Sequence, residues 1–396
     1  MINNIYLPPA VAKIISQLND GGYEAYVVGG CVRDSIMNKA PTDWDVTTSA
    51  EPPQVKRLFR RTYDTGIAHG TVTVVMDSKN YEVTTFRIDG KYLDGRHPEH
   101  VEFTSSLFED LKRRDFTMNA IAWHISQGFF DPFGGIYDIE NKIIRGVGGA
   151  GQRFREDALR MLRAIRFAAQ LNFEIEPVTW GALLENKHLI KNISMERVRD
   201  ELLKLLVSSN PEKIALLVAS GLMGYIDPVF AGHLKAFDPV PLISIEPIAN
   251  LRLTATLRGL GGVKDRLKHF KLDNKSINLI TTLLDELETP IIDDFAHIRQ
   301  RIAKISPPVF MLLLRLFEAY GEDMSGVHAK QELILAQGHC ISMSMLAIGG
   351  EDLKKLGITN GRTIGKILKA LFDHVLLHPE DNTAAALTRL VPNLLT

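Results

Sequence analysis

Two aspartates one residue apart, Asp43 and Asp45, follow closely on a glycine turn with an arginine, Gly29-Gly30-Cys31-Val32-Arg33. Glycine lets main-chain N–H groups approach a ligand with no Cβ in the way. A following helix start offers more N–H groups and a favourable dipole. The guanidinium of Arg33 matches phosphate oxygens. On a strand, Asp43 and Asp45 would share one face about 6–7 Å apart at Cα, with Trp44 and Val46 turned to the core. Two such carboxylates suit Mg²⁺, which fills its other positions with water and substrate phosphates. Alone, a Gly-Gly pair is a turn and an Asp-x-Asp a solvated loop. Together, within a short span and after an apolar strand, they specify a phosphate cradle beside a divalent-metal site. Asp34 reads as a cap or as a partner for an arginine.

The elements that must position these groups are legible around them. Residues 8–19 carry apolar side chains at helical spacing behind two prolines, and Gly21-Gly22 ends that helix. Tyr23 to Val28 reads as a short buried strand, and Val32 to Met37 as a short helix. Gly70 to Val75 and Tyr81 to Phe86 are β-branched runs about a turn at Asp77 to Asn80, a hairpin of the same sheet. Glu82, alternating with Val83, is a candidate third carboxylate; the alternative is an ordinary exposed strand glutamate. Residues 87–104 are polar, glycine-broken and aperiodic, a surface loop or a mobile element over the site. Leu111 to Ala122 is amphipathic, its basic pair Arg113-Arg114 standing before a helix, either as a solvated face or as charge for a triphosphate.

Beyond residue 150 the chain reads as helical, broken by proline and glycine. Arg153 to Gln170 predicts one strong helix on which Asp157, Arg160, Arg163 and Arg166 recur every third residue. Each lies about 60° round from the last, so neighbours share a face. Leu159, Met161, Leu162, Ile165 and Phe167 occupy the rest of the circumference. A largely buried helix with so many arginines points to a function rather than to plain core. Basic clusters recur at Lys264 to Lys275, Arg299 to Lys304, and Lys354 to Lys369, as solvated faces singly or as a track for a phosphate backbone together.

Composition bounds these readings. The 396 residues have 45% hydrophobic and 23% charged content, ordinary for several globular cores. A formal net charge of −1 excludes a global basic field, so any nucleic-acid surface must be a local patch. The two cysteines, Cys31 and Cys340, allow neither a disulfide framework nor a zinc cage. No charged-then-apolar leader and no apolar run near eighteen residues are seen, so the expected setting is cytoplasmic.

Four motifs stand in order: Gly29-Gly-x-Val-Arg33, Asp43-x-Asp45, Arg113-Arg-Asp-Phe-Thr-Met-Asn-Ala120 and Glu156-Asp-x-x-Arg160. At this spacing the chain resembles the class II tRNA nucleotidyltransferases, the bacterial CCA-adding enzymes, most strongly through residue 206. The glycine pattern from Gly349 to Gly365 resembles that family's tail more loosely. The resemblance implies an α/β nucleotidyltransferase head (1–150), a small mixed or antiparallel sheet with helices, and then an all-α remainder. That remainder would be a neck that reads the nucleotide base (151–207), a body (208–330) and a tRNA-binding tail (331–396). It implies template-independent addition of C, C and A to the 3′ end of tRNA from CTP and ATP, with release of pyrophosphate. By the same resemblance Gly30 and Arg33 match the triphosphate-binding turn, Asp43 and Asp45 the Mg²⁺-binding catalytic pair, and Arg114 a nucleotide-contacting arginine. Asp157 and Arg160 match the base-reading pair, and Arg163 and Arg166 the nucleotide-binding arginines that follow.

Base chemistry explains such a pair. Cytosine and adenine each present an amino donor beside a ring-nitrogen acceptor; a carboxylate accepts from the first and an arginine donates to the second. Uracil and guanine reverse the pattern and would leave both side chains unpaired. The two-metal logic would activate the tRNA 3′-hydroxyl and neutralise the leaving pyrophosphate, so no histidine general base is required. Rival readings are a bacterial poly(A) polymerase, a relative adding only CC or only A, and an RNA-binding module without catalysis. The near-neutral charge disfavours the first, the loop with Asp89-Gly90, Tyr92 and Asp94 the second, and intact Asp43 and Asp45 the third. Whether the chain forms a homodimer is left open by the sequence.

Overall fold

The computed structural model describes residues 5–90 and 101–394. The chain divides into two compact units, Met1–Ile243 with His269–Lys271, and Ser244–Lys268 with Leu272–Thr396. The first unit opens with the helix α1 (Pro9–Asp20), whose Val11, Ile14, Ile15 and Leu18 are buried. The strand β1 (Ala25–Val28) is followed by the short helix α2 (Gly30–Ile36), and β2 (Asp45–Thr48) by α3 (Pro52–Leu58). The strands β3 (Thr62–Gly66), β4 (Thr71–Met76) and β5 (Lys79–Thr85) come next. They join a seven-stranded sheet of order β3-β4-β5-β2-β1, completed by β8 (Ala122–His124) and β9 (Gly128–Phe130). Only β2 and β5 run parallel, so the sheet is mixed.

The expected hairpin forms. β4 and β5 pair from Thr71↔Thr84 to Met76↔Lys79. Asp77 and Ser78 turn it with φ of 50° and 60°, the doubly left-handed geometry that matches strand twist. Alternation then sorts the side chains: Val72, Val74, Tyr81 and Val83 enter the core with α1, while Thr73 and Glu82 face away from it.

Three expectations need correction. The ends of the segment 87–104, expected to be aperiodic, instead pair as the antiparallel strands β6 (Arg87–Asp89) and β7 (Val101–Phe103). Tyr92 and Asp94 fall outside the described residues. The basic pair Arg113-Arg114 does not precede a helix: α4 (Leu107–Lys112) ends there, and a short 3-10 turn (Thr117–Asn119) leads into β8. Asp115 explains the change, because it accepts from the Phe116 N–H and the Asn119 amide and so draws the backbone into a turn.

After α5 (Gly135–Glu140) and the short β10 (Ile143–Ile144), the expected single helix is two. α6 (Ala150–Glu156) stops at Asp157, whose φ of −143° and ψ of 103° are extended, and α7 (Leu159–Leu171) begins afresh. The Asp157 carboxylate accepts from the Leu159 N–H, a local bond that competes with continuing the helix. β11 (Glu174–Ile175), α8 (Pro177–Asn186) and α9 (Met195–Leu206) follow. Among the described residues the regular elements of the second unit are all helices, with their own core about Leu353, Leu371 and Val375. Among the described residues no helix is long and apolar enough to cross a membrane.

Candidate active site

Asp45 opens β2, and Asp43 stands just before that strand. Val46 lies in the core and Trp44 packs against it, so the alternation that turns both carboxylates away from the core holds. In the parallel register Glu82 of β5 stands opposite Asp45. Burial, and then the Asp45 and Asp43 charges, raise the Glu82 carboxyl above its ordinary value. Asp45 is raised as well, by crowding protein first and by Asp43, with Arg114 acting against both. Three carboxylates that repel one another need a cation between them. They do not make a complete cage: among the described residues no three His, Cys, Asp or Glu groups are placed to hold a metal by themselves. That donor set suits a hard ion that completes its shell with water and phosphate oxygens.

The phosphate side lies across β1. Gly29 has φ of 81°, a backbone conformation that requires glycine, and a Cβ there would press within 3.0 Å of Nη1 of Arg114. The buried Cys31 thiol follows; burial pushes it up to about 11, and the Asp45 backbone and carboxylate are among its neighbours. Arg33 is buried and fully oriented. It donates to Asp34 (2.9 and 2.8 Å) and to Asn119 (2.6 Å), so Asp34 is the partner of an arginine. Arg114 differs: one weak contact at 3.5 Å reaches Asp110, and its buried Nε has no hydrogen-bond partner. A half-buried guanidinium held by one weak contact, between the glycine turn and Asp45, fits an anionic ligand.

The helical part of the site joins through main-chain contacts. Arg160 donates to Glu156 (3.0 Å) and to the Arg113 carbonyl (3.0 Å), next to Arg114 in sequence. Arg197 of α9 grips Asp157 at 2.7 and 3.2 Å. Arg163 pairs with Asp115 at 2.9 and 2.6 Å. Burial opposes the Asp115 charge, yet Arg163 and Arg160 hold its carboxyl far below the usual carboxylate range. Arg166 is turned to Glu201 and Gln170, and burial lowers it below an ordinary arginine. The structure thus groups Gly30, Arg33, Asp43, Asp45 and Arg114, joins Arg160 to them through the Arg113 carbonyl, holds Asp157 by Arg197, and spends Arg166 within the protein.

Sequence reasoning overlooked three residues. Asp115 is the buried anchor of Arg163, and Arg197 the clamp on Asp157. Phe167 was counted as core filler, yet the guanidinium carbons of Arg33, Arg163 and Arg166 lie 5.3, 5.3 and 3.8 Å from its ring centroid. An aromatic ring inside an arginine-rich helix is the signal that could have found it.

Three family profiles match in succession: a poly A polymerase head domain over residues 25–145, a probable RNA- and SrmB-binding site of polymerase A over 172–234, and a tRNA nucleotidyltransferase domain 2 over 253–391. The CCA-adding enzyme of Lactobacillus johnsonii is 36% identical over 96% of each chain. This chain belongs to the CCA-adding enzymes. The CCA-adding enzyme of Enterococcus faecalis is 38% identical over 92% of this chain and 91% of its own. Among solved structures, that of the Bacillus stearothermophilus CCA-adding enzyme in complex with CTP superposes with a TM-score of 0.83 at 34% identity, covering 94% of both chains. Family membership makes the chain a tRNA nucleotidyltransferase with an α/β head and a helical remainder, in a family whose chemistry implies a divalent metal.

Proposed function

We propose that this enzyme adds C, C and A stepwise to a tRNA 3′ end from CTP and ATP, in the cytoplasm, with Mg²⁺ held by Asp43 and Asp45 and supported by Glu82. Bound there, the metal would supply Lewis-acid activation and charge neutralisation. The protein groups do the rest. The Gly29-Gly30 turn, Arg33 and Arg114 take the triphosphate, Arg114 being held by only one weak contact, to Asp110. Arg163 is a further nucleotide contact, set by Asp115. Arg166 acts through Phe167 and Glu201, holding that arrangement. Residues 1–150 would serve as head, 151–207 as neck, 208–330 as body and 331–396 as the tail that holds tRNA.

The observation that carries base choice is what Asp157 and Arg160 have left over. A carboxylate offers about four lone-pair sites and a guanidinium five donors. Asp157 spends three sites, on Leu159 N–H and twice on Arg197, leaving one acceptor. Arg160 spends two donors, leaving three. One acceptor beside free donors complements cytosine and adenine and opposes uracil and guanine. The clamps from Arg197 and Glu156 keep the two side chains from turning to suit the wrong base.

The test is to give the purified enzyme a tRNA lacking CCA with each nucleotide alone, then CTP with ATP, and to sequence the 3′ ends. CCA ends are expected from the mixture, and CC from CTP alone. Runs of A would instead indicate a poly(A) polymerase.

A further inference from the structure

An in-line displacement needs its nucleophile opposite the leaving pyrophosphate. The groups assigned to phosphate, namely the Gly29 turn, Arg33 and Arg114, flank Asp45 on the β1 side of β2. The attacking hydroxyl must then arrive over the other neighbour, β5. There the exposed face of the sheet carries a row across the strands. Glu82 stands opposite Asp45, and Thr73 of β4 opposite Glu82. Thr65 of the edge strand β3 bonds Thr73 hydroxyl to hydroxyl at 2.6 Å. Thr65, Thr73 and Lys79 line one cavity of about 950 Å³ with Asp43, Asp45 and Glu82. Thr73 is 4% exposed although its side chain lies off the core, and Lys79 is exposed with no ion pair among the described residues.

We infer that Thr65, Thr73 and Lys79 seat the sugar and phosphate of the RNA 3′ end and so position its hydroxyl at Asp45 and Glu82. This rests on Asp43 and Asp45 being the reaction centre. The terminal base of the acceptor changes with every addition, so its seat has to grip the backbone and not the base. A threonine hydroxyl donates and accepts, and so does the ribose 2′-hydroxyl that marks RNA. Lysine meets phosphate as a point charge that fixes no orientation. Thr73 and Thr65 lie one and two strands beyond Glu82, so the strip runs outward from the carboxylates to the sheet edge, as an entering strand requires.

Thr65→Val with Thr73→Val removes both hydroxyls and keeps the β-branched shape; Lys79→Ala changes only a hairpin surface. With tRNA lacking CCA, the double threonine variant should raise the KM for tRNA about three- to tenfold and leave the KM for CTP within about twofold. A 2′-deoxy 3′ terminus should weaken the unaltered enzyme by a similar factor and the threonine variant no further. Lys79→Ala should lower the slope of log KM for tRNA against log salt by about 0.7, the share of one single-strand phosphate. An unchanged tRNA KM and salt slope in both variants overturns the inference, as does a CTP KM that rises in step. If Asp43→Asn with Asp45→Asn still incorporates nucleotide, the underlying site is wrong; if that variant is inactive while the tRNA KM is unmoved, only the seat is wrong.

Discussion

Buried and half-buried arginines stand in both units: those near Asp45 pair mainly with carboxylates, and those of the second unit mainly with main-chain carbonyls. In the first unit Arg33, Arg160 and Arg163 reach Asp34, Glu156 and Asp115, while Arg114 keeps a donor unused. In the second, Arg299 donates to the carbonyls of Leu376 and Leu377, at the end of the helix Gly361–Leu377. Arg301 donates to the carbonyls of Glu286 and Thr289 and lies 2.8 Å from the Glu286 carboxylate. Arg252 donates twice to the Ile245 carbonyl. The last carbonyls of a helix lack partners within it, and a buried guanidinium that satisfies them is a cap. A half-buried one such as Arg114, held by a single weak ion pair, can bind an anion. The basic cluster Arg299 to Lys304 therefore offers a phosphate backbone less than its sequence suggested, since Arg299 and Arg301 are spent inside.

Asp43→Asn with Asp45→Asn should have the largest effect, a loss of incorporation of at least about a thousandfold, with tRNA binding in a filter assay nearly intact. Surviving incorporation would dissolve the distinction between the two units, because the first would no longer hold the chemistry. Arg160→Ala should slow addition and relax the choice of C and A toward U or G by about ten- to a hundredfold, read with purified nucleotides. The same change at Arg301 should leave the choice alone. Asp115→Asn should cost on the order of 3 kcal/mol at neutral pH by leaving Arg163 without its partner. Because the folded carboxyl lies below its unfolded value, this stability is complete above about pH 4 and lost as pH falls. Denaturant midpoints of the two proteins should thus converge below about pH 4; a constant gap would show that the pair carries no such linkage.

Strand elements and the Asp43–Asp45 pair were legible because period-two alternation is local: Val46 and Val83 inward fixes Asp45 and Glu82 outward. The four motifs conveyed the family. The break at Asp157 was not legible, since its neighbours all favour helix and only a side-chain bond to Leu159 with a grip from Arg197 decides against it. The turn after Arg114 was hidden for the same reason. Asp115 and Arg163 lie 48 residues apart in sequence, and no periodicity announces a pair at that distance. The two roles of buried arginine were equally hidden, because a cap and a ligand look alike until the partner is seen.

The most direct test of that distinction is CTP affinity without tRNA, measured by titration calorimetry on Arg114→Ala and Arg299→Ala beside the unaltered enzyme. Arg114→Ala should weaken CTP at least about tenfold with little change in melting temperature. Arg299→Ala should bind CTP normally while losing about 1–3 kcal/mol of stability. Equal CTP affinity in the two variants would contradict the account.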